Sequence, residues 1–111
     1  GHRQMIVVTT ETIAGHAITK TLGTVIGNTI RARHLGKDIS AGLRSLVGGE
    51  ITEYTGMMAE SREQSLQRML DRAEELNADA IVGVRFQTSM IMQGSAELLV
   101  YGTAVQLVQN K

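Results

Sequence analysis

The sequence predicts an α+β fold in which an antiparallel sheet is covered on one face by one short and one long helix, in the order ββααββ. Three observations predict it. Residues 51–76 carry a helical period without interruption, the flanking segments alternate as strands do, and the chain contains no proline to break either pattern. At 100° per residue, Ile51, Tyr54, Met58, Ser65, Leu66, Met69, Ala73 and Leu76 share one side of the long helix. Glu53, Glu60, Glu63, Gln67, Asp71 and Glu74 share the other. A helix of about 25 residues is ~38 Å long, enough to cover a small sheet.

The elements follow in order. Met5 to Thr10 is short and rich in β-branched residues, which predicts a strand; Thr12 to His16 is a turn. Ile18 to about Ala32 is strand-like, with Gly23 at a break in the alternation that suggests a bulge. Beyond it, Leu22, Thr24, Ile26, Asn28, Ile30 and Ala32 share one face. Gly23, Val25, Gly27, Thr29 and Arg31 share the other, which reads as a face left for a second subunit or for solvent. Asp38 is a candidate N-cap for a short helix through Ile39, Leu43, Leu46 and Val47, and Gly48 is its stop. The long helix restarts at Gly49 or Thr52 and ends at Asn77. Ala80 to Met92 and Glu97 to Val108 then form a hairpin, with Val82, Val84, Phe86 and Thr88 on one face of the first strand.

At 111 residues the chain is read as one domain, residues 5–108, with residues 1–4 as a tag remnant or N-terminal tail. Its apolar content is 42% with one Phe, two Tyr and no Trp, so the core is small and some aliphatic surface is expected between subunits. The absence of cysteine excludes disulfides, zinc–thiolate sites and iron–sulfur clusters, and suits a cytoplasmic location. No apolar run approaches the ~20 residues of a membrane span. Net charge is zero but divided: Arg3, Lys20, Arg31, Arg33, Lys37 and Arg44 face only Glu11 and Asp38 in residues 1–49, and residues 50–76 carry an acidic excess. Basic residues are few and no aromatics interleave with them, which excludes a nucleic-acid footprint.

Several residue types carry potential chemistry. His34 and Asp38 are four apart, so a helix beginning there would place a metal-binding or proton-moving pair on one face, although one His and one Asp make half a site. Met57, Met58, Met90 and Met92 offer thioether sulfur, more often used in packing. Gly48-Gly49 permits a sharp reversal between the two helices. That reversal gathers the negative end of one helix dipole and the positive end of the next. Arg44 and Glu50 carry the complementary charges for those ends, and Tyr54 follows one turn later. This corner, with His34 and Asp38 nearby, is the candidate ligand or structural junction; no catalytic residues are read.

Val7-Val8-Thr9-Thr10, Gly36-Lys37-Asp38 through Gly42-Leu43-Arg44, Val47-Gly48-Gly49-Glu50, Glu53-Tyr54, Ala78 to Val84 and Gly102-Thr103-Ala104-Val105 stand in the order and spacing of the YbjQ family, which the chain resembles from Met5 to about Val108. The resemblance implies a compact, dodecin-like two-layer α+β subunit assembled as a homopentamer. It implies no established catalytic residues. The family of small bacterial and archaeal proteins has no established function, although it often carries a heavy-metal-binding label. Soft heavy metals prefer thiolates, and this chain has none. The functional expectation is a non-enzymatic oligomeric binding or assembly protein, its partner a second copy of itself, with a small ligand possible. The alternative is a metal-binding protein with His, carboxylate and Met ligands near the helix–helix junction or a subunit interface.

Overall fold

In a computed structural model, residues 4–32, 50–92 and 95–110 are described. Strand β1 is Ile6–Val7, β2 is His16–Ala32, helix α1 is Glu50–Glu75, β3 is Ala80–Met92 and β4 is Ser95–Gln109. They form one four-stranded sheet in the order β1-β3-β4-β2, with α1 packed on it. The short helix expected over residues 39–47 lies outside the described residues.

The sheet is mixed rather than wholly antiparallel. β4 runs antiparallel to both β2 and β3, but β1 pairs parallel with the start of β3, Ile6 opposite Ala80 and Val7 opposite Ile81. The intervening β2 and α1 supply the crossover that a parallel pair requires. A two-residue strand carries too little pattern to announce its direction. Its continuation still binds the β3 edge, because Gly83 N donates to Thr10 O (2.8 Å) and Val84 N to Val8 O (3.1 Å).

β2 holds 17 residues, about 56 Å at ~3.3 Å each. That is the long dimension of the molecule, whose extents are 58 × 26 × 24 Å. The bulge expected at Gly23 is present: the β2–β4 register shifts between Thr21 and Gly23, whose φ is +130°. A second shift, between Val82 and Arg85, was not visible in the alternation. There Gly83 adopts φ +62° and turns the strand, so that Val82 packs with Ala80 and Val105 while Val84 joins the core under α1.

That core consists of Val25, Met69, Ala73, Ala78, Ile81, Val84, Val100 and Ala104. The polar side of α1 is exposed at Glu60, Glu63, Gln67, Asp71 and Glu74, as its period predicts, whereas Leu76 at its end is also exposed. On the other face of the sheet, Ala80, Val82 and Val105 are covered by Ile6, Val8, Ile13 and Leu107.

The two faces of β2 are the reverse of the sequence expectation. Val25, Gly27 and Thr29 lie buried under α1, while Ile26 and Ile30 are exposed. The reason is the closeness of the helix. A Cβ built on Gly27 would stand 2.0 Å from the Ser65 carbonyl oxygen and 2.6 Å from the Met69 amide nitrogen. Only a hydrogen fits, so the small residues mark the contact and the bulky ones point away. Val25 and Val105 are both buried; Leu99 and Tyr101 are partly exposed.

Candidate functional site

His34, Asp38 and Arg44 lie outside the described residues, as do Gly48 and Gly49. Glu50 is the first residue of α1, where a carboxylate suits the helix dipole, and Tyr54 follows within the first turns. Their side chains are not among those described. The structure therefore fixes where the junction enters α1, and the arrangement of the five candidates lies outside the described residues.

What it does bring together is a polar seam between α1 and β2. The close approach at Gly27 continues toward the N-terminal half of α1 through Ser65 and Ser61, both fully buried. Ser65 Oγ lies 2.7 Å from Thr29 Oγ1 and 3.1 Å from Leu98 O, and Thr29 Oγ1 donates to Ser61 O (3.3 Å). Arg31 Nε donates to Ser61 Oγ (3.0 Å) and its Nη2 to Gln64 Oε1 (2.7 Å). Glu60 stands 3.4 Å from the same guanidinium, but at 64% exposure that ion pair adds little. Hydroxyls that satisfy one another let two backbones approach without leaving a buried polar group unpaired. Ser61 went unnoticed in the sequence; its spacing of four from Ser65 and of eight from Met69 was the available signal. A small cavity beside this seam is lined by Thr29, Arg31, Met58, Ser61, Thr88, Ala96, Glu97 and Leu98.

A larger groove of about 270 Å³ opens on the outer side of β2, lined by Gly27, Asn28, Arg68, Asp71, Arg72 and Glu75. Arg68 Nη1 donates to the Asn28 carbonyl across it (2.6 Å). Its walls are the edge of β2 that no described strand pairs with and the flank of a helix, with two cationic and two anionic side chains. No cofactor chemistry is evident in such a balanced set.

Among the described residues, the methionine side chains do not gather at one place, and those of Met57 and Met92 are not among the described side chains. Met69 is buried in the core, Met58 borders the small cavity, and Met90 stands 77% exposed at the far end of β3. Among the described residues, no three His, Cys, Asp or Glu gather as an ion's ligands. With no thiolate in the chain, the described donors do not fit a heavy metal.

Comparison with known proteins adds the following. A family profile described as "Putative heavy-metal-binding" matches residues 5–108. The chain is 61% identical over 106 residues to a UPF0145 protein of Methanosarcina acetivorans, covering 96% of this chain and all of that one. It is 52% identical over 107 residues to a UPF0145 protein of Thermus thermophilus, covering 96% and 94%. A crystal structure from Pediococcus pentosaceus, of a protein of unknown function assigned to the DUF74 family, superposes with a TM-score of 0.65. It is 18% identical and covers 94% of this chain and 98% of that one, a likeness of fold alone.

Proposed function

The chain belongs to the YbjQ family, and from that premise we propose that it is a non-enzymatic, self-assembling binding protein of the cytoplasm, built as a homopentamer. The finer ββααββ, dodecin-like plan with a short second helix belongs to the same proposal. One observation carries it. Large apolar side chains stand in the open along the free ends of the sheet: Ile26 at 45%, Ile30 at 58%, Phe86 and Ile91 at 49% each, besides Met90. Phe86, Met90 and Ile91 fall within six residues of the β3 edge, and apolar exposure gathered in this way on a small subunit supports a surface that another protein covers. Size-exclusion chromatography with light scattering tests the reading. About five subunit masses are expected, and a clean monomer at micromolar concentration would refute it.

The family's description supports a second reading, in which a metal is held by His34, Asp38, carboxylates and methionines near the helix junction or between subunits. Native mass spectrometry with elemental analysis of untagged protein separates the two. A stoichiometric ion favours metal binding, and a bound organic mass favours a small-ligand carrier.

A further inference from the structure

The sheet has two open edges, and they differ. Among the described residues, β2 pairs only with β4 and is an edge strand over its whole length. β3 is covered by the N-terminal segment as far as Val84, after which no described strand pairs with its outer side. Unpaired edges are templates for a further strand. These two lie on opposite sides of one sheet, so a single chain cannot join them.

The side chains at the two edges are complementary in place. On β3, Phe86, Thr88 and Met90 share the face that α1 occupies, being opposite Val100, Leu98 and Ala96. On β2, that face carries the groove between α1 and the strand edge. Continuing the sheet across the two edges keeps its faces aligned. The Phe86 side chain of one copy, level with Gly27, then rises beside the α1 of the next and enters its groove, while Met90 stands further along, level with Arg31. There the long apolar stems of Arg68 and Arg72 line the wall, and a guanidinium can stack on the Phe86 ring. Arg68, which caps the Asn28 carbonyl in the single chain, guards the edge until a strand replaces it.

We propose that the α1–β2 groove of each subunit receives the Arg85–Met92 edge of a second copy, joining subunits head to tail through one continuous sheet. The inference rests on the self-assembly reading and specifies its contact. β2 and β3 are both antiparallel to β4, so they run in the same direction. A rotation about an axis along the strands keeps that direction, and the new pair is parallel. Because the contact uses two different surfaces, it repeats from subunit to subunit, and a rotation that divides the full turn evenly closes it as a ring.

The chain has no cysteine, so a pair can be placed cleanly. Asn28 and Gln87 are both opposite Leu99, at one level of the sheet and on its open face. The variants Asn28→Cys and Gln87→Cys are treated with a short bismaleimide alone, mixed after co-refolding, and combined in one chain; Asn28→Cys with Ser89→Cys covers a shift of one residue pair. Cross-linking only in the mixed and combined samples, with a ladder that stops at the ring size, is the expected result. Phe86→Lys with Met90→Lys should dissociate the ring while circular dichroism and melting of the subunit persist. An intact oligomer that cross-links in none of these combinations overturns the edge contact and leaves self-assembly standing. Gln87→Cys cross-linking to itself overturns it in favour of a two-fold β3 contact. An unmodified chain that is monomeric at every concentration overturns both readings.

Discussion

Replacing Gly27 with alanine adds one methyl group to the tightest contact in the molecule. The new Cβ would lie 2.0 Å from Ser65 O, where real Cβ atoms essentially never come within 3.0 Å. The helix must therefore withdraw by at least about 1 Å at this point. Rotamer changes bring no relief, because the atoms met first are backbone. A withdrawal of that size stretches the Ser65 contacts to Thr29 and Leu98, now 2.7 and 3.1 Å, to roughly 3.7 and 4.1 Å, past hydrogen-bond length. It also loosens Met69 and Ala73, both fully buried. Overpacking costs about 1–3 kcal/mol and one lost buried hydrogen bond about 1 kcal/mol. A total of about 2–4 kcal/mol lowers the melting temperature by roughly 8–16 °C at ~4 °C per kcal/mol. The assay is thermal unfolding followed by circular dichroism at fixed protein concentration, since assembly also shifts the midpoint. Gly15→Ala is the control: its φ of +80° brings strain, but no atom lies within 4 Å of the new methyl, so about 1–2 kcal/mol is expected. Adding Ser65→Gly to Gly27→Ala should not restore stability, because the clashing oxygen belongs to the main chain. A Gly27→Ala protein melting within about 2 °C of the parent would refute this account of the contact.

Other outcomes follow from the same geometry. Met69→Ala should cost about 2–5 kcal/mol, read as a lower denaturant midpoint, because the side chain is fully buried between α1 and the sheet. Asp79→Ala should cost about 1–2 kcal/mol by leaving the Leu107 amide, now 2.9 Å from Asp79 Oδ2, without that acceptor, and Asp79→Asn should recover most of the loss in the same denaturant titration. At the helix junction, Arg44→Ala and Glu50→Gln distinguish a binding corner from a structural one. Loss of a co-purifying ligand with melting unchanged marks a site, whereas a loss of about 1–3 kcal/mol with ligand content unchanged marks a brace.

How much of this was readable from the residues depends on where the information sits. The period of α1 and the alternation of β3 and β4 are local, and those elements stand within two residues of their expected bounds. Gly23 broke the pattern around it, so its bulge was legible. Gly83 did not, since a glycine between Val82 and Val84 leaves the apolar alternation intact while the backbone turns. The faces of β2 were read backwards for a related reason. Bulky side chains suggest the buried face, but the helix sits so close that burial at Gly27 demands the absence of a side chain. The parallel β1–β3 pair depends on residues more than seventy positions apart, and no local pattern encodes it. Of the candidate site, the start of α1 at Glu50 was legible; His34, Asp38 and Arg44 lie outside the described residues.

The pairing of β2 with β4 also has a consequence for how the chain is made. His16 at the start of β2 is opposite Gln109, and Ala32 at its end is opposite Ser95. β2 thus leaves the ribosome well before its ladder partner, which follows α1 and β3. At about 5–20 residues per second, a strand of 17 residues waits for several seconds with both edges unpaired. Among the described elements, the one that can shelter it in the meantime is α1, which docks on it directly. On this view the seam of Gly27, Thr29, Ser61 and Ser65 serves during synthesis as well as afterwards. It lets a nascent β2–α1 unit hold its shape before any sheet exists, and a variant that loosens the seam should aggregate during expression more than its equilibrium stability alone would imply.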